Sequence, residues 1–158
     1  MHPVVEILEE RREAVGREYV TDWVQIDQMQ VDVFGAITRN LDPMHNDPKY
    51  VKDAGVWNGR TVLHGLFTAS LIPHFLMQVP GGHFTSTDTE HTVNYGMDKV
   101  RWTSPVYTGI PIRARVTLLA VTEKAENRYL MKYRFVVEQE GNDRPCMVAD
   151  NSILVVAT

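Results

Sequence analysis

The segment from residue 40 to residue 48 (NLDPMHNDP) holds the densest set of reactive side chains, with Asn40, Asp42, His45 and Asp47 close together. Histidine titrates near neutral pH, so His45 can accept and return a proton in a reaction. Asn and Asp also shape turns, and an Asp before a Pro is typical of a helix N-cap, which is how we interpret Asp47. The segment predicts either an acid–base site or a turn without chemistry, and both interpretations stay open.

A second candidate position lies at His64 and Gly65, which open an apolar segment that extends to Val79. The first backbone N–H groups of a helix lack partners within the helix and lie at the positive end of its dipole. Such donors can bind a carbonyl oxygen and stabilise a developing enolate oxygen. Gly65 would permit close approach of a ligand, or it would simply allow tight packing of the helix on a sheet.

Composition indicates one soluble domain over residues 1–158, without affinity for nucleic acid. Hydrophobic residues make up 44% of the chain, and the net charge is −4 with Lys and Arg scattered along it. Cys146 is the one cysteine, which excludes an intramolecular disulfide and, without a signal-peptide pattern, favours the cytoplasm. The longest apolar stretch, 66–79, is too short to span a bilayer, so no membrane segment is expected.

The elements that must position these side chains begin with helices. Helical spacing predicts an N-terminal helix over 4–15 and a second one, capped by Asp27, that ends near Thr38. A loop over 40–48 and a short helix closed by Gly55 follow. The segment 64–79 is apolar nearly all round, which predicts a helix buried on every side and interrupted at Pro73.

The C-terminal half has the alternating pattern of half-buried antiparallel strands. Strands are predicted over 91–102, 112–121, 129–137 and 146–156, with a hairpin turn at 141–143. One helical half and one antiparallel sheet make an α+β arrangement around a wrapped central helix.

Three sequence blocks, in this order, resemble a known family: 34–48 (FGAITRNLDPMHNDP), 61–73 (TVLHGLFTASLIP) and 93–105 (VNYGMDKVRWTSP). Together they resemble the MaoC-like dehydratases, especially the branch that contains nodulation protein N, from about residue 20 to the C-terminus. The resemblance implies a hot-dog fold, in which a curved antiparallel sheet wraps a long central helix that begins at Gly65. It also implies a homodimer with its two sheets side by side.

The same resemblance implies an activity. Members of the family add water to trans-2-enoyl thioesters of coenzyme A or acyl carrier protein, giving (R)-3-hydroxyacyl products, or run the reverse dehydration. No metal or cofactor is required, and the six histidines show no compact ligand spacing. The resemblance makes Asn40, His45 and Gly65 the catalytic candidates, and Asp42 and His64 are the substrate-binding candidates.

Residue 40 departs from the family signature, an Asp and a His separated by four residues, because the Asp position holds Asn40. An amide can orient water but cannot take a proton as a carboxylate does. Four explanations stay open: His45 is the sole base, Asp42 has taken over, the protein binds thioesters without turnover, or Asn40 was introduced to trap a ligand. Hydrolysis by a thioesterase is disfavoured because 65–79 contains no acidic residue.

A conjugate-addition cyclase is the remaining enzymatic alternative, since a hydroxyl of the substrate could replace water and tolerate an amide at position 40. Aromatic residues supply candidates for an acyl pocket, although ordinary core positions are the more frequent use of such side chains. These candidates are Trp57, Phe67, Tyr95 and Trp102.

Overall fold

The computed structural model describes residues 3–82 and 90–157, with side chains from residue 8 onward, so His2 and His83 of the six histidines lie outside the described residues. The helices are α1 (Pro3–Glu13), α2 (Gln28–Thr38), α3 (Pro43–Asn46), α4 (Pro48–Asp53), α5 (Gly65–Ser70) and α6 (Ile72–Leu76), with a 3₁₀ turn at Trp57–Gly59. The strands are β1 (Glu18–Val20), β2 (Glu90–Trp102), β3 (Ile112–Ala125), β4 (Arg128–Gln139) and β5 (Met147–Ala157).

The five strands form one antiparallel sheet in the order β1-β3-β4-β5-β2. Alternation along β3 buries Ala114, Val116 and Leu118, as the sequence pattern predicts. The four predicted strands are confirmed, and three of them extend further than expected. β1 was not predicted, and between β1 and α2 Val24 forms an isolated bridge to Ile112.

The apolar segment from residue 65 to residue 79 is two short helices, α5 and α6, which join at Leu71. The expected interruption is confirmed, with Pro73 in the first turn of α6, where a missing N–H is tolerated. Phe75 and Leu76 are fully buried, but Leu66 is 68% exposed and Met77 is 59% exposed. The prediction that this segment is buried on every side is therefore wrong for the single chain. An apolar sequence does not show which face of a helix packs on the core and which is left exposed.

Helix α2 begins and ends where the sequence predicts. The Asp27 side chain accepts a hydrogen bond from the Gln30 backbone N–H, and the Asp27 backbone N–H donates to Gln30 Oε1, which completes a capping box. At the other end Arg39 adopts a left-handed conformation with φ of 59°. The chain reverses there, and the Asn40 N–H donates to the Gly35 carbonyl at 2.9 Å.

The segment 40–48 is not a loop throughout, because it contains α3. Asp42 caps this helix by accepting from the Met44 N–H at 2.9 Å, and Pro43 occupies its first position. The caps for α4 are as predicted: Asp47 accepts from Tyr50, and Gly55 follows the helix with φ of 65°. Two consecutive Asp–Pro caps thus build a pair of short helices.

Helix α1 is tied to the sheet by a buried ion pair. The Arg11 guanidinium donates to both carboxylate oxygens of Glu90 in β2, at 2.9 and 3.0 Å. Two parallel bonds of this kind fix orientation as well as distance. Within the described ranges, no helix has the length and apolar character needed to cross a membrane.

Candidate functional site

His45 lies in α3 and is 5% exposed. Its Nδ1 atom is 2.7 Å from the Val62 carbonyl oxygen. A carbonyl can only accept, so Nδ1 donates, and in the neutral ring Nε2 carries the lone pair. The backbone at Val62 thereby selects the tautomer in which Nε2 can act as a base.

Burial lowers the pKa of His45 below its ordinary value of 6.5 and is the largest effect on it. The hydrogen bond to Val62 opposes this shift, His64 adds to it, and Asp42 opposes it weakly. The neutral form of His45 is therefore favoured at physiological pH, as a general base requires.

His64 is packed directly against His45. The two ring centroids are 3.8 Å apart and the ring planes are inclined at 29°. The His64 Nε2 atom lies 2.9 Å from the Asn40 carbonyl oxygen, to which it donates. His64 thus meets residues 40 and 45, which lie 24 and 19 positions earlier in the chain.

The backbone of His45 is held by Gln28, a residue that the sequence did not single out. Gln28 Nε2 donates to the His45 carbonyl and to the Asp32 carboxylate, both at 2.8 Å. The Thr61 hydroxyl donates to Gln28 Oε1. No sequence signal could have found this network, because its contacts connect residues 17 and 33 positions apart.

Two cavities flank the His45 ring. The first, which we call the Asn40 cavity, has a volume of about 320 Å³ and is lined by Phe34, Thr38, Asn40, His45, His64, Gly65 and Leu66. The second, the Trp102 cavity, has a volume of about 400 Å³, and its lining includes His45, Trp57, Gly65, Thr68 and Trp102. All three catalytic candidates, Asn40, His45 and Gly65, therefore line one cavity, together with His64.

Gly65 opens α5 and packs tightly against Trp102 of β2. A Cβ atom at residue 65 would lie 2.9 Å from Trp102 Cε2, and the Gly65 carbonyl accepts a hydrogen bond from Trp102 Nε1 at 2.8 Å. The packing interpretation of this glycine is thus supported by the geometry. Its N–H is at the start of a helix, where no carbonyl four residues earlier is available within the helix, so it can also serve as a donor to a ligand.

Asp42 is placed differently from the other candidates. Its carboxylate is engaged as the cap of α3, and neither cavity is lined by it. Its influence on His45 is electrostatic.

The aromatic candidates are mostly not core residues. Trp57 is 39% exposed, Trp102 47% and Tyr95 60%, so the core interpretation is wrong for these three in the single chain. Trp57 and Trp102 line the Trp102 cavity. Phe67 is partly buried and stacks on Phe34, with the ring centroids 4.6 Å apart.

The part of the chain that the structure describes contains no group of three or more His, Cys, Asp or Glu side chains placed to hold a metal ion. The arrangement around His45 offers a neutral imidazole, a side-chain amide and backbone N–H donors beside two cavities. Those groups suit the movement of a proton next to a bound carbonyl compound.

Comparison with protein families finds a match to the model described as MaoC like domain, over residues 10–139. The chain is 32% identical over 145 residues to 3-hydroxyacyl-thioester dehydratase Z of Mycobacterium tuberculosis, covering 92% of this chain and 90% of the relative. It is 30% identical over 137 residues to nodulation protein N of Rhizobium leguminosarum bv. viciae, covering 86% of this chain and 83% of that protein.

Among solved structures, the (R)-hydratase from A. caviae involved in PHA biosynthesis superimposes with a TM-score of 0.69 at 20% sequence identity. The match covers 88% of this chain and 94% of that one. The expected hot-dog fold is confirmed by this likeness together with the antiparallel five-stranded sheet.

Proposed function

The chain belongs to the MaoC-like domain family, and on that premise we propose that it is a hydratase or dehydratase of acyl thioesters. The substrates are 2-enoyl and (R)-3-hydroxyacyl thioesters of coenzyme A or acyl carrier protein. The observation that carries the proposal is the His45 ring, whose tautomer is fixed by the Val62 carbonyl and which lines the same cavity as Asn40 and Gly65.

In the direction of hydration, water is held between the Asn40 amide and His45. His45 Nε2 takes a proton from the water while the oxygen attacks the β carbon, and the electron pair of the double bond moves toward the thioester carbonyl. The resulting enolate oxygen is stabilised by the backbone N–H of Gly65. The imidazolium then returns its proton to the α carbon, so that one water molecule has been added and His45 is regenerated.

With Asn40 in place of the Asp of the family signature, the mechanism keeps the histidine as a base and lacks the carboxylate. An amide both donates and accepts hydrogen bonds, so it can orient the water, but it does not take up the proton. Loss of a general base typically removes about 10²- to 10⁴-fold of rate. We therefore expect slow turnover, with His45 as the sole base.

Asn40 also favours two alternatives on the same fold. One is an acyl-thioester-binding protein without turnover. The other is a conjugate-addition cyclase, in which a hydroxyl of the substrate attacks the β carbon in place of water and an amide suffices to orient it. Both alternatives use the Asn40 cavity, so the location of the site does not distinguish them. The products formed from a thioester do.

The deciding experiment follows the absorbance of crotonyl-CoA with the unmodified protein and with His45→Ala and Asn40→Asp. We expect slow loss of the enoyl thioester that His45→Ala abolishes and that Asn40→Asp accelerates by about 10²- to 10⁴-fold. His74→Ala is the matched control, because His74 is exposed and lines neither cavity.

Other outcomes of that experiment are equally informative. A silent unmodified protein that Asn40→Asp activates favours the binding protein. A hydroxyl-bearing enoyl thioester that is consumed without gain of the mass of water favours the cyclase. Silence of both proteins toward all of these thioesters contradicts the proposed activity.

We also propose that the chain works as a homodimer, joined along the edge of the sheet at β2. This strand is 13 residues long and carries the exposed apolar side chains Val93, Tyr95 and Met97. A long apolar edge strand offers unpaired backbone groups and invites pairing with a second copy.

A further inference from the structure

His64 contacts both halves of the proposed site while being almost inaccessible itself. The residue is 3% exposed, stacks on the His45 ring with the centroids 3.8 Å apart, and donates from Nε2 to the Asn40 carbonyl at 2.9 Å. Its other nitrogen, Nδ1, is buried and has no hydrogen-bond partner among the described residues. The ring therefore makes one hydrogen bond and one ring contact to the two residues that hold the water.

The hydrogen bond to Asn40 and the ring contact with His45 add to the other contacts that hold these two residues. At residue 40, the N–H is held by the Gly35 carbonyl and the carbonyl is held by His64, so both backbone groups are fixed. At residue 45, Nδ1 is held by the Val62 carbonyl, and one ring face is covered by His64. The His64 side chain therefore joins these two sets of restraints.

We propose that His64 is a positioning residue, which holds the backbone of residue 40 and the His45 ring in the relative placement that proton transfer requires. This differs from its expected part in binding substrate, because the residue is only 3% exposed and its Nε2 already donates to the Asn40 carbonyl. The kinetic side of the inference rests on the proposed function. A misplacement of about 1 Å in such a pair can cost on the order of 10²-fold in rate.

The test separates the two contacts with two variants. His64→Phe keeps an aromatic ring beside His45 but removes the donor to Asn40, whereas His64→Gln keeps an N–H donor and removes the ring. For each variant we expect kcat for crotonyl-CoA hydration to fall by about 10- to 100-fold, with KM nearly unchanged, in the unmodified and Asn40→Asp backgrounds. Circular dichroism confirms folding, and if one variant does not fold, the other decides.

A second readout needs no turnover. With ¹⁵N-labelled histidine, long-range proton–nitrogen spectra report both the tautomer and the titration of His45. The groups that act electrostatically on this ring are His64, which lowers its pKa, and Asp42, which raises it. We therefore expect the pKa of His45 to rise in His64→Phe, while Nδ1 stays protonated against Val62.

His74→Phe is the matched control, since it replaces an exposed histidine of α6 that lies outside the site. The inference is overturned if His64→Phe leaves kcat and the His45 titration as they are in His74→Phe. It is also overturned if the His64 variants raise KM and spare kcat, which would indicate substrate binding. If no protein hydrates the thioester, the proposed function fails, and the His45 titration alone then supports or refutes the positioning contact.

Discussion

At the scale of single residues, the burial of His45 decides the protonation state in which it meets a substrate. The ring is 5% exposed, and loss of hydration disfavours its charged form, so its pKa lies below the ordinary value. The hydrogen bond to Val62 holds the neutral ring with its lone pair at Nε2. Burial and the local backbone thus favour a neutral ring at neutral pH whose Nε2 atom is free to accept a proton.

This placement predicts the pH dependence of the reaction. Because the pKa of His45 is lowered, the neutral base persists as pH falls through 6.5, and kcat/KM should decline only below that value. The measurement is a profile of kcat/KM for crotonyl-CoA hydration across the acid and neutral range. Asn40→Asp places a carboxylate near the ring, which raises the pKa of His45 and should move the acid limb to higher pH.

An acid limb centred above 6.5 in the unmodified protein would contradict the effect of burial. A limb that Asn40→Asp leaves in place would show that residue 40 and His45 do not act on one another.

The residues of the site divide into those that the sequence predicts and those that it cannot. Asn40, His45 and Gly65 were expected together, through a family resemblance, and the fold brings them around one cavity. Gln28 and the role of His64 depend on contacts between distant parts of the chain, which no local pattern encodes. These residues are distant in the sequence and close in space, and that proximity is evident only in the folded structure.

At the scale of elements, the end of α2 sets the position of Asn40. Gly35 lies in the last turn of this helix, and a Cβ atom there would come within 2.8 Å of Asn46 Oδ1 and 2.9 Å of the Asn40 carbonyl oxygen. The glycine is therefore required by close approach of α3 and of the chain at residue 40, and not by an unusual backbone angle.

Gly35→Ala tests this contact because two effects of opposite sign compete. Helix propensity alone favours Ala over Gly by about 1 kcal/mol, whereas overpacking typically costs about 1 to 3 kcal/mol. We expect lower stability in urea denaturation and a slower hydration rate, since the Asn40 backbone must move. Ala36→Gly, at an exposed neighbour in the same helix, measures the propensity effect by itself.

The contact would be refuted if Gly35→Ala gains as much stability as Ala36→Gly loses and keeps full activity. Asn46 Oδ1 ends a flexible side chain and can move, so the Asn40 carbonyl is the contact that decides the result.

Element boundaries were predicted where one local signal dominates and missed where two signals overlap. The Asp27 cap and the alternation along β3 and β4 follow from short-range physics, and both are confirmed. The helix α3 was hidden inside a run of turn-forming residues, whose Asp–Pro pairs start helices as readily as they form turns. The apolar run of α5 and α6 was taken for full burial, although part of it is uncovered in the single chain.

At the scale of the whole molecule, the two edges of the sheet are unequal. β1 closes one edge with only three residues, whereas β2 forms the other edge with 13 residues, among which Val93 and Tyr95 are exposed. A short edge is protected against further pairing, and a long apolar edge is not. The proposed dimer therefore has one natural location, and strand pairing there would extend the sheet from one protomer into the next.

The double substitution Val93→Asp with Tyr95→Asp places two charges on that edge, where they would face one another across the pair of β2 strands. We expect light scattering coupled to size exclusion to show two chains for the unmodified protein and one for this variant. Both side chains are more than half exposed, so the protomer should stay folded. Val20→Asp, at the exposed β1 edge, is the matched control and should remain a dimer. If Val20→Asp instead dissociates while the double variant of β2 remains a dimer, the interface lies at the β1 edge.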